Sequence, residues 1–172
     1  MSALALATEP PVLFPARRFL ASEISGVPDE AWTGFTLAMK IQAPGAVSAS
    51  NELGMFGIRL RRLADLGLVK NLRKTRSPTG HMVWLGDWVP PLTQKLFLDT
   101  PRYQYKAFAG SMRRYDRALR DGLMAHRPEG LTLSGMLAVL HRCGPSGLES
   151  WARRDRRFPA TVEVVERANG IF

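Results

Sequence analysis

The sequence predicts a mainly α-helical single domain, and three observations carry that expectation. The strongest is the stretch "PRYQYKAFAGSMRRYDRALRDGL", where Phe108, Met112, Tyr115 and Leu119 recur at spacings of four, three and four, one face of an amphipathic helix. The second is punctuation: the segments after it open on Thr or Pro, and the last closes on Gly170, as helices do. The third is that strand patterning is weak, with "GHMVWLGDW" the best candidate. A chain of 172 residues, 45% of them hydrophobic, is long enough to bury one real core.

Taken in order, residues 1–28 read as an extended N-terminal arm, because Pro10, Pro11, Pro15 and Pro28 would each interrupt a helix. The arm also holds Val12, Leu13, Phe14, Phe19 and Leu20, too apolar for a freely solvated tail. It is therefore expected to lie along the domain or to dock on a neighbouring subunit. The helical domain is placed at 29–172. Its first helix falls in "PDEAWTGFTLAMKIQ", where Asp29 and Glu30 suit the positive end of the helix dipole, and "APG" at 43–45 ends it. A second helix, "IRLRRLADLG", stops at Gly67. The 102–122 segment is one helix with its apolar stripe inside. Arg113, Arg117 and Arg120 lie on other faces, and Asp116 and Asp121 are placed for i,i+4 pairing. Three shorter helices follow: "LTLSGMLAVLHRC" with Thr132 or Ser134 as N-cap, "PSGLESWARR" from Pro145, and "PATVEVVERANG" from Pro159 to Gly170.

The charge balance is unusual: 24 Lys and Arg against 15 Asp and Glu give a formal net charge of +9. Such a surface favours polyanions, whether nucleic acid, anionic membrane, cell-wall polymer or an acidic protein. The single cysteine, Cys143, excludes an intramolecular disulfide and a Cys-rich zinc site. His81, His126 and His141 share no ligand spacing, so neither a metal nor another cofactor is expected. The first residues lack the basic start of a signal peptide, and no apolar run reaches the length of a membrane span. Synthesis in the cytoplasm is the expectation.

One stretch invites a DNA-binding reading. "RRLADLGLVKNLRKTRSPTGHMVWLG" resembles the end of a winged-helix domain, with Arg73, Lys74 and Arg76 in a basic turn suited to phosphates. A winged helix also needs a recognition helix directly before the wing, and "APGAVSASNELGMFG" is a small-residue loop instead. "RSPTG" is therefore expected to be an exposed loop, and nucleic acid the less favoured partner.

The same region carries a second resemblance. "AVSASNELGMFGI" is similar to the loop of soluble lytic transglycosylases and goose-type lysozymes, of the form A-V-S-x-x-G-A-L-G-L-M-Q. Ala46, Val47 and Ser48 open it, and Leu53, Gly54, Met55 and Phe56 close it. Asn51 stands where the first glycine is usual, and Gly57 where the glutamine is. The resemblance extends, in order, through Trp84 and Trp88, the P-x-x-Q pattern inside "LFLDTPRYQYKAF", and "SGMLAVLHRCGPSG". That last stretch matches a family signature at Ser134, Gly135, Leu137, Ala138, His141, Gly144 and Gly147. Asn169-Gly170 near the end fits a terminal N-G turn. The likeness covers about residues 30 to 172.

The resemblance implies a lysozyme-like, transglycosylase-type helical domain facing peptidoglycan, with glycan contacts from Asn51, Gly54, Met55, Phe56, Gly57 and His141. His141 is expected to pack or line the cleft rather than catalyse. Such enzymes use one glutamate as general acid and then base, at the end of the first long helix. The equivalent window here, Met39 to Gln42, holds no acid. Gln42 is isosteric with Glu but cannot donate a proton near neutral pH, and losing general acid catalysis costs roughly 10²–10⁴-fold. Glu23, Glu30 and Glu52 remain as substitutes. Glu52 is the best placed, although a loop position of this kind is expected to face solvent. Two altered cleft positions imply a degenerate enzyme: a wall-facing or virion-associated module, such as a phage tail component. It would bind glycan strands or protein partners in a larger assembly, with cleavage weak or lost and the virion or cell envelope as its final site. An active enzyme with a displaced acid and a winged-helix DNA binder are the alternatives.

Overall fold

A computed structural model describes residues 20–78, 80–123, 127–153 and 159–172. Among these the chain is mainly helical, with seven helices and two small antiparallel hairpins. Helix α1 spans Asp29–Ala38. Strands β1 (Glu52–Leu53) and β2 (Ile58–Arg59) form the first hairpin, and α2 (Leu60–Asp65) follows directly. Strands β3 (Val69–Arg76) and β4 (Met82–Trp88) form the second. Then come α3 (Gln94–Asp99), α4 (Pro101–Arg120), α5 (Leu133–Cys143), α6 (Pro145–Ala152) and α7 (Pro159–Ala168).

Helix α4 runs through the centre. Phe108 and Met112 on its apolar stripe are fully buried, Tyr115 is nearly so, and Leu119 packs at the margin. Phe108 is the hub: its ring stacks on Phe56 at 4.2 Å and meets the edge of His141 at 5.2 Å, with Phe35 and Trp32 at 6.0 and 6.2 Å. Clustered aromatics of this kind add specific ring–ring attraction to the area they remove from water. Burial pushes the Tyr115 hydroxyl up to about 12.

Helix α5 is capped by Thr132, whose Oγ1 accepts from the backbone N–H groups of Gly135 and Gly170. Asn169 closes the same corner, accepting from Thr132 N and donating to Gly130 O. A Cβ on Gly135 would lie 2.2 Å from Asn169 Oδ1, so the start of α5 and the terminal Asn-Gly turn fit only because that side chain is absent.

The second helix is shorter than its sequence pattern suggests, because Ile58 and Arg59 pair with β1 before the helix begins. The basic segment differs more. In place of a basic turn, Arg73, Lys74 and Arg76 lie within the eight-residue β3, and of the expected "RSPTG" loop Pro78 and Gly80 are exposed between the strands while Thr79 lies outside the described residues. Four of the eight residues of β3 are Lys or Arg, a composition that local propensity underrates as a strand and that cross-strand pairing supports.

Of the arm, residues 1–19 lie outside the described residues, so Val12, Leu13, Phe14 and Phe19 do too. Residues 20–28 lie along the domain. Ile24 is buried, Leu20 N donates to Thr33 Oγ1, Glu23 pairs with Arg113, and Arg120 donates to Ser25 O. His126 also lies outside the described residues. Among those described, no helix is long and apolar enough to cross a membrane.

Candidate functional site

The loop from Ala46 to Gly57 is held in shape from within and from outside. Within it, Ser48 N donates to Glu52 O, Asn51 N to Ser48 O, Gly54 N to Ala46 O and Gly57 N to Gly54 O. Asn51, Gly54 and Gly57 all adopt left-handed backbone conformations, with φ of 58°, 66° and 57°. At Asn51 an asparagine side chain tolerates that conformation.

Four separate chain segments fasten the loop. Gln42, beyond the end of α1, donates from Nε2 to Glu52 O at 3.1 Å and Gly54 O at 2.7 Å. Gln104 on α4 is wholly buried. Its Oε1 accepts from Met55 N at 2.8 Å, and its Nε2 donates toward Pro44 O, Phe97 O and Leu98 O. A Cβ on Gly54 would sit 2.2 Å from Gln104 Oε1, so the glycine and the glutamine are one arrangement. His141 on α5 binds Phe56 O through Nε2 at 2.7 Å. Asn51 donates from Nδ2 to Trp84 O at 2.9 Å, tying the loop to the edge of β4.

Glu52 is not the solvent-facing residue expected of a loop position. It is 7% exposed, and both of its carboxylate oxygens are engaged. Oε1 accepts from Arg59 Nε and Nη2 at 3.1 and 3.0 Å, and Oε2 accepts from Arg142 Nη1 at 3.3 Å. The local reason is the hairpin, which places Arg59 directly across from Glu52. Arg142 reaches it because Gly57 leaves room: a Cβ there would lie 2.6 Å from Ile41 Cδ1 and 3.0 Å from Arg142 Nη1. A carboxylate with both oxygens accepting guanidinium hydrogens is arranged to hold the hairpin against α5. A general acid must instead carry a proton and present it to a leaving group.

The remaining sequence-derived site residues fall into two groups. Met55, Phe56 and His141 are buried, and Gly54 and Gly57 are enclosed beside them, so all five shape the loop from inside. Asn51 is half-buried and borders the surface, beside exposed Val47, Ala49 and Ser50. Met39 is fully buried in the core, and Gln42 is half-buried with its amide turned to the loop backbone. Glu30 is exposed on the first turn of α1, and Glu23 is engaged by Arg113. The P-x-x-Q pattern included Gln104 without giving it a role in the loop, and nothing in the sequence marked Arg59 or Arg142. A separate cleft of about 180 Å³ lies between α2 and α4, lined by Arg62, Asp65, Arg114 and Tyr115, with no residue of the loop.

Burial pulls the His141 imidazole down to about 4, the bond to Phe56 O opposing only part of that effect. The ring is thus neutral in the fold at pH 7, while a histidine in the unfolded chain titrates near 6.5. Its contribution to stability is fully present above about 6.5 and is lost as the pH falls through 4, because only the unfolded state takes up the proton in that window. The melting temperature is expected to fall between pH 6.5 and pH 4, and His141→Gln, which retains an N–H donor, to show a shallower slope. Equal slopes would remove His141 as the source.

Among the described residues no group of three His, Cys, Asp or Glu side chains could hold a metal ion. Comparison with family models, with characterised proteins and with solved structures finds no match to this chain. The class its own structure defines is a mainly helical domain in which a glycine-bearing loop, fastened from four sides, borders a basic β-hairpin.

Proposed function

We propose that the protein is a peptidoglycan-facing module of lysozyme-like type that binds glycan strands or serves an assembly, with cleavage weak or lost. The observation that carries this reading is convergence. The loop, the Trp84 segment, the P-x-x-Q glutamine and the signature histidine were matched separately along the sequence. In space they meet at one place through Asn51–Trp84, Gln104–Met55 and His141–Phe56. The phage or envelope setting rests on family resemblance alone.

Loss of cleavage follows from the carboxylates. Gln42 has no acidic proton, and Glu52 is committed to two guanidinium groups. The winged-helix reading loses support because the segment before the β3–β4 hairpin is the small β1–β2 hairpin and one short helix, with no helix-turn-helix.

The test is sedimentation with purified sacculi, together with release of soluble muropeptides. Wild type is expected to co-sediment and to release little, and Glu52→Gln to change release no further. Strong release by wild type that vanishes in a folded Glu52→Gln variant would establish a displaced acid and overturn the degenerate reading. Failure of wild type either to bind or to cleave would overturn the glycan role.

A further inference from the structure

The geometry points to the β3–β4 hairpin as an extension of the glycan-binding surface that takes the acidic stem peptides of peptidoglycan, an inference that rests on the function proposed above. Cross-strand partners share a face of a hairpin. Lys74 lies opposite Trp84 and Arg76 opposite Met82, so these four side chains form one face. The Lys74 ammonium stands 5.1 Å from the Trp84 ring centroid, and Met82 is 56% exposed. Lys74 thus stands over an indole ring, with Arg76 and exposed Met82 next along the same face.

The opposite face is different. Asp87 lies there across from Lys70, takes a hydrogen bond from Asn71 and pairs with Arg73 at 3.3 Å. Those contacts, the Asn71 bond first, hold its carboxyl below the usual range. Among the described residues, neither Lys74 nor Arg76 is paired with a carboxylate. That face therefore carries two cations and no acid, whereas the other sets the single carboxylate of Asp87 against Lys70 and Arg73.

Two cations beside an indole ring and an exposed methionine suit a compact ligand carrying carboxylates and small apolar groups. Position favours that ligand over a duplex. The face begins at Trp84, whose carbonyl is bonded to Asn51 at the rim of the loop, so a glycan lying along the loop would bring its peptide branch to Lys74 and Arg76.

The experiment compares full-length wild type, the double variant Lys74→Gln/Arg76→Gln and the charge-matched control Lys70→Gln/Arg73→Gln. Binding is measured to intact sacculi, to glycan stripped of stem peptides by an amidase, and to a duplex DNA. The first variant should bind intact sacculi roughly tenfold more weakly, two exposed charge contacts being removed. The control should lose less than about twofold, and all three proteins should bind stripped glycan alike. Equal losses in both variants would mean unspecific attraction and overturn the inference. So would no loss in either, while wild-type binding to sacculi leaves the glycan reading standing. Wild type binding neither glycan preparation would sink both. Duplex binding lost in the first variant, with sacculus binding unchanged, would make the face a nucleic-acid contact instead.

Discussion

Replacing Gln104 with leucine is expected to lower the stability of the protein by about 4 kcal/mol, among the larger effects of a single substitution. The side chain is wholly buried and joins three parts of the chain: the loop at Met55, the approach to it at Pro44, and the end of α3 at Phe97 and Leu98. Leucine fills a similar volume but offers no donor or acceptor. The Met55 N–H and the three carbonyls would then be left without the amide, and a buried polar group without a partner costs about 1–3 kcal/mol. Leucine also ends one bond short of the amide, so the space that Oε1 fills beside Gly54 would be left empty. Denaturant unfolding followed by tryptophan fluorescence measures the change. A loss below about 1 kcal/mol would show that the loop is held by its own internal bonds, a single net hydrogen bond being of that size.

The second large effect is that of Gln42→Glu, and it depends on pH. The amide nitrogen faces two carbonyl oxygens, at 2.7 Å on Gly54 and 3.1 Å on Glu52. An ionised carboxylate there would set oxygen against oxygen, costing about 3 kcal/mol at pH 7 for a half-buried group stripped of its bonds. Protonation restores one donor, so the folded-state pKa must rise above the unfolded value near 4.3. The folded state then holds the extra proton, and stability falls as pH rises through the window from about 4.3 to the raised pKa. Below that window the penalty disappears. The variant is expected to melt well below wild type at pH 7 and close to it at pH 4. A variant as stable as wild type at pH 7 would mean that the side chain has turned away from the loop. Muralytic activity is not expected to return, because the carboxyl when protonated donates to Gly54 O, and when ionised has no proton to give a glycosidic oxygen.

The two substitutions separate two ways in which this chain encodes structure. The stripe of Phe108, Met112, Tyr115 and Leu119, the Thr132 cap and the stops at Gly67 and Gly170 were legible along the sequence. A helix forms its hydrogen bonds four residues apart and buries one face, so its information is local. The mainly α class and the positions of the later helices follow from such signals, whereas the loop was singled out by resemblance to a family motif alone.

Tertiary structure alone decided what the loop residues do. Glu52 reads as an exposed loop acid until β1 and β2 set Arg59 across from it and α5 brings Arg142, 90 residues away, to its other oxygen. Gln104 reads as one polar residue on an amphipathic helix until the loop folds onto it from 49 residues away. The eight-residue β3 is a run of charges until β4 pairs with it. In each case the partner is remote in sequence, and the pairing becomes favourable only when packing has removed water from both groups. A hydrogen bond or ion pair contributes little net stability in solvent, whereas the same group left unpaired in the interior costs several times more. Local pattern therefore determined the helices, and burial determined which polar groups had to find one another.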